Sequence, residues 1–199
     1  MKKIFLIILT IFFSIIATSI SYAEKTYTEI KDTVFRLHII ANSDSEYDQQ
    51  LKLEVRDNIL QYLSNKNFKS KKETIEYICS HLEEINNIVS NTLNENNCIY
   101  SFSTEITNSY FPTKHYSNIS LPAGEYDCLK INLNNAKGQN WWCILYPNLC
   151  STNVTISNNS NILLEKSITS ETYNIITNEV TYKFKIVELI QSLKNKVKL

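Results

Sequence analysis

The sequence predicts an α+β domain with helices packed on a mainly antiparallel sheet, in the order β-α-α-β-β-β-α. Three observations predict it. Segments with apolar residues at every second position flank a central region where they recur at steps of three and four. The chain has only two glycines, Gly124 and Gly138, and both fall at strand boundaries, where turns are needed. Residues 24–199 suit one domain with a real core.

Lys2 and Lys3 precede an uncharged apolar run from Ile4 to Ile16, and Ser21-Tyr22-Ala23 places small residues where a signal peptidase needs them. This pattern predicts a Sec signal peptide over residues 1–23. At ~13 residues the run is shorter than the roughly 20 of a spanning helix, and no cysteine follows it to carry a lipid.

In the exported part, Phe35, Leu37, Ile39 and Ala41 alternate with Val34, Arg36, His38 and Ile40, a strand with one apolar face. Asn42, Ser43, Asp44 and Ser45 then offer oxygens to cap the helix marked by Leu51, Val55, Ile59 and Leu63. Ser70 and Glu73 have capping-box spacing, and Ile75, Ile78, Leu82, Ile85, Val89 and Leu93 form the apolar stripe of a second helix.

Tyr100, Phe102, Thr104 and Ile106 mark a half-buried strand. Leu129, Ile131 and Leu133 mark another, and Trp141 to Tyr146 a third, joined by a polar loop with Asn134, Asn135 and Gly138; a hairpin is the economical arrangement. Residues 151–172 are a polar excursion whose apolar interruption, Ile162 to Leu164, reads as a weak strand at most. Val180, Phe184, Val187, Ile190 and Leu193 predict a C-terminal helix over residues 173–199, with a basic tail.

Charge narrows the function. Lys2 and Lys3 are the only charges before Glu24, so the exported part has a slight acidic excess; a nucleic-acid partner would call for a basic surface. All five cysteines lie in that part, an odd count. Cys143 and Cys150 are the candidate disulfide, with Pro147 favouring a turn between them; the other reading is two buried free thiols.

A secreted thiol hydrolase acting on the cell wall, with Cys143 as nucleophile and His38 or His115 as base, is the alternative and is weakly signalled, because Cys143 sits mid-strand rather than at a helix N-terminus. The histidines are scattered without zinc spacing, and Asp44, Glu46 and Asp48 lack the glycine and terminal glutamate of a calcium loop. No metal, cofactor or small-molecule substrate is expected.

Candidate partner contacts are Arg36 and His38 on the more polar strand face, Asn42, Ser43 and Asp44 in the adjoining loop, and the tryptophan pair. Strand alternation sends Trp141 and Trp142 to opposite faces, one toward the core and the other exposed or covered by the C-terminal segment. For Arg36 and His38, a cross-paired sheet face is the plainer reading and a recognition surface the sharper one.

Three segments carry a more specific signal: RLHIIANSDSEYDQQLKLEVRD (Arg36 to Asp57), FPTKHYSNISLPAGEYDCLKI (Phe111 to Ile131) and GQNWWCILYPNLC (Gly138 to Cys150). They resemble the stage II sporulation protein R family of endospore-forming bacteria. Relatives commonly have glycine near Ser117 and Asn134 and a second proline at Asn148, departures that bear on turns; asparagine tolerates left-handed backbone geometry. The resemblance implies a non-enzymatic signalling protein exported from the forespore into the space between the forespore and mother-cell membranes. Its implied partner is the extracytoplasmic or membrane portion of a membrane-embedded aspartic protease that processes pro-sigma-E in the mother cell.

Overall fold

The computed structural model describes residues 2–116, 119–150 and 158–177. Its elements are α1 (Lys2–Thr33), β1 (Phe35–Ile40), α2 (Glu46–Ser64), α3 (Lys71–Ser80), α4 (Leu82–Glu95), β2 (Phe102–Phe111), β3 (Lys114–Tyr116), β4 (Ile119–Leu121), β5 (Gly124–Leu133), β6 (Asn140–Tyr146), α5 (Asn158–Ser167) and α6 (Ser170–Thr177). The fold class is α+β, as the periodicity predicts. The chain divides into two compact units, one with the four-stranded sheet and α2 to α5, the other with α1, the β3–β4 hairpin and α6.

In the first unit the strand order is β2-β5-β1-β6. β1 runs antiparallel to β6 and parallel to β5. The side-chain pairs Ser103–Asn132, Glu105–Lys130 and Asn108–Asp127 run in opposite senses along β2 and β5, as an antiparallel ladder requires. Phe35, Leu37, Ile39, Leu129, Ile131 and Leu145 form the apolar face, on which α2 lays Leu51, Val55 and Ile59 and the following helices Ile78, Ile85 and Val89.

The simple hairpin of β5 and β6 is corrected: β1 lies between them, which splits it. The physical reason is that β1 is buried on both faces and needs hydrogen-bonding neighbours on both edges. The polar loop steps over its end, with Lys137 N and Gly138 N donating to Asn42 O and Ala41 O at 3.1 and 2.9 Å. Gly138 is needed there because a Cβ would collide with the Ser43 carbonyl oxygen. Asn134 opens the loop at φ 50°, in the left-handed region asparagine tolerates.

The capping signals act as read. Ser45 Oγ accepts from Asp48 N at 3.2 Å and Ser70 Oγ from Glu73 N at 3.1 Å. The second predicted helix is two, α3 and α4, broken at His81 (φ −118°, ψ 26°), whose ring stacks on Tyr77 at 3.9 Å. The weak strand at Ile162 to Leu164 is also corrected, since those residues lie in α5, with Leu164 buried. The predicted C-terminal helix begins within α6, while residues 178–199, like 151–157 of the polar excursion, lie outside the described residues.

In the second unit, α1 is long and apolar enough to cross a membrane and is compatible with a signal peptide or export. The helix continues through Ala23, and Thr26, Tyr27 and Ile30 are buried. Tyr27 packs where a Cβ on Gly124 would stand. The Glu29 carboxylate accepts from Thr169 N, from Thr169 Oγ1 at 3.0 Å and from Thr172 Oγ1 at 2.6 Å. α6 packs against β4, whose Ser120 Oγ lies 2.7 Å from His115 Nδ1.

Candidate functional site

The open end of the sheet face away from α2, α3 and α4 is polar, and strand register orders it. His38 lies between Lys130 on β5 and Trp142 on β6. Lys130 Nζ is 3.6 Å from Glu105 on β2. Glu105, Lys130, His38 and Trp142 thus form one row across all four strands, with Ser103, Asn132, Ile40 and Asn140 in the next.

The row is built on stacking and hydrogen bonds. His38 and Trp142 stack with ring centroids 5.9 Å apart and planes 22° off parallel. His38 Nε2 meets Asn140 Oδ1 at 2.6 Å, so that nitrogen carries the hydrogen. Burial depresses the His38 pKa, the Asn140 bond opposes it, and the charges of Lys130 and Arg36 add to the depression. The imidazole is accordingly neutral at pH 7.

Exposure increases along this face. Arg36, Tyr126, Cys128 and Ile144 at one end are fully buried, with the Arg36 guanidinium 4.8 Å from the Tyr126 ring centroid and Arg36 Nε 3.5 Å from Cys143 O. Lys130, Asn132, Asn140 and Trp142 are half-buried, and Glu105 and Ser103 exposed. Arg36 is therefore part of the packing beneath the face, and His38, at 7 % exposure, lies just under its open end. Trp141 takes the opposite face, against the core, with the Arg56 guanidinium 4.3 Å from its ring centroid.

The loop candidates form a second cluster where β1 ends. Asn42 Nδ2 donates to Asp48 Oδ2 at 2.8 Å and to Tyr100 OH at 3.1 Å. Its Oδ1 accepts from Asn134 Nδ2, Asn135 N and Asn135 Nδ2. Ser43 Oγ donates to Asp48 Oδ2 at 2.5 Å. Asn42 and Ser43 thus fasten β1, α2 and the β5–β6 loop together, while Asp44 is exposed. Sequence reasoning missed Lys130, Glu105, Asn140 and Tyr100, because only strand pairing brings them to these positions.

The thiol chemistry considered from sequence is not assembled. Cys143 is bonded to Cys150 with Cα atoms 5.7 Å apart, and it points into the core, on the face opposite His38. Cys128 and Cys98 are buried free thiols and Cys79 is exposed; burial pushes the Cys128 thiol up to about 11. The open face offers stacking, hydrogen bonding and one ion pair, a set suited to recognition.

Comparison with known proteins places the chain in a family. The family Stage II sporulation protein R (spore_II_R) matches residues 31–157, a span that includes every strand of the sheet. Stage II sporulation protein R of Bacillus subtilis (strain 168) is 37 % identical over 160 residues, covering 75 % of this chain and 71 % of that protein. No solved structure matches. With the family match spanning most of the chain and the B. subtilis relative alike over three quarters of it, the chain belongs to the stage II sporulation protein R family.

Proposed function

We propose that the chain is an exported, non-catalytic sporulation signal. It engages the extracytoplasmic or membrane portion of a membrane-embedded aspartic protease and so switches on processing of pro-sigma-E in the mother cell. Family membership is the observation that carries this reading. The apolar α1 supports export; in this reading the signal acts in the space between the forespore and mother-cell membranes. The pairing of Cys143 with Cys150 argues against a thiol nucleophile at that position.

Such a signal works by differential affinity: it shifts the protease only as far as it prefers the active conformation. The test is pro-sigma-E processing in cells that make protease and substrate, with the full chain, with a chain lacking residues 1–23, and with neither. Cleavage is expected only with the full chain. Equal cleavage in its absence, or with the unexported form, rejects an extracytoplasmic signal.

A further inference from the structure

Among the described residues outside α1, the exposed large apolar residues are Tyr47, Ile99, Tyr110 and Ile162. Two of them lie on segments that are tied together: Tyr47 OH donates to Asn96 O at 3.2 Å, three residues before Ile99, a residue 99 % exposed. Isolated apolar residues on a surface are ordinary. This pair differs in how firmly it is held.

α4 ends in a Schellman turn: Asn97 takes φ 51°, Cys98 N donates to Leu93 O at 2.9 Å and Asn97 N to Asn94 O at 2.9 Å. Cys98 is the inward anchor of that turn, in the core with Leu93. On the other side Tyr100 is tied through its hydroxyl to Asn42. Fixed inward residues on both sides hold Ile99 outward, so a partner burying it gains apolar contact with little ordering of the backbone.

Acids outnumber bases around the pair, with Lys137 an exposed base on the adjoining β5–β6 loop. Asp44 and Glu46 precede Tyr47, Glu95 closes α4, and Glu54 accepts from Asn96 Nδ2 at 2.7 Å. Lys52 on α2 is buried and turned to Gln49 Oε1 and Gln139 O. Such a rim repels anionic lipid and nucleic acid and attracts lysine and arginine.

We propose that Ile99 and Tyr47, with their acidic rim, form a docking knuckle for a protein partner that presents an apolar socket bordered by basic residues. This rests on the function proposed above, and places the socket on the extracytoplasmic portion of the protease.

The test compares full-length wild type, Ile99→Ser, Glu46→Lys with Glu95→Lys, and the control Ile162→Ser in the processing experiment, with protein levels and thermal midpoints measured for each. Ile99→Ser and the charge reversal should each lower processing roughly tenfold or more at unchanged stability, as loss of an interface anchor does. Ile162→Ser should match wild type. If wild type itself fails to support processing, the proposed function falls and this inference with it. If wild type is active and Ile99→Ser equals it, the knuckle alone is rejected. A charge reversal that raises processing while Ile99→Ser lowers it overturns the protein socket in favour of an anionic lipid surface.

Discussion

Asp48 is a buried carboxylate whose charge is kept by its neighbours. Burial alone would raise its pKa, but hydrogen bonds from Ser43, Asn42, Tyr100 and Ser45 outweigh that and hold it below the usual carboxylate value. A group depressed in the folded state contributes stability that is full above its unfolded pKa, near 3.9, and is lost as pH falls through the folded value. Wild type should therefore lose stability as acid is added below about pH 4, and part of that slope belongs to Asp48. Asp48→Asn should flatten the slope in urea unfolding curves and cost about 1–3 kcal/mol at pH 7, because a neutral amide oxygen accepts from Asn42 and Ser43 more weakly than the carboxylate does. Parallel pH slopes for the two proteins would show that Asp48 is not held as described. In the sequence Asp48 is one acid among several near a helix start; its role depends on Tyr100 and Asn42, residues brought together only by folding.

At the scale of elements, what could be read depended on whether the information was local. Leu51, Val55 and Ile59 are buried where the helical period puts them, and Ser45 and Ser70 cap where the spacing places them. Strand partnership was not local. β5 and β6 look like a hairpin because six residues separate them, yet β1, from far earlier in the chain, has the double-sided burial that claims the place between them. For the candidate site, His38 and Trp142 could be singled out as residues, but their stacking and the Lys130–Glu105 extension of the row depend on that same insertion. The Cys143–Cys150 bond belongs to this scale too, since it fastens the middle of β6 to the turn after it. Closing so short a loop stabilises by roughly 2–3 kcal/mol in the chain-entropy view. Cys143→Ser with Cys150→Ser should lower the unfolding free energy by about that amount and still support pro-sigma-E processing where the protein remains folded. Abolished processing at unchanged stability would instead implicate a sulfur atom in the chemistry.

For the whole molecule, the proposed export and the fold draw on different parts of α1. Residues 2–22 are exposed along the helix, whereas Thr26, Tyr27 and Ile30 are buried in the unit with β3, β4 and α6. A lysine within the apolar run should therefore impair translocation without touching the fold, as a charge at the centre of an inserting helix costs about 2.5–3.5 kcal/mol. Loss of the Tyr27 ring should do the reverse, leaving export intact while removing a buried aromatic at a cost of roughly 3–5 kcal/mol. Leu9→Lys is expected to accumulate inside the producing cell as a folded, protease-resistant precursor. Tyr27→Ala is expected to be exported but degraded faster. Fractionation and limited proteolysis distinguish the two, and both should reduce pro-sigma-E processing through these separate routes. If Leu9→Lys were exported normally, the apolar run would not be the export determinant. If Tyr27→Ala were as protease-resistant as wild type, the packed stretch of α1 would add little to the folded unit, and its continuation past Ala23 would carry no structural weight.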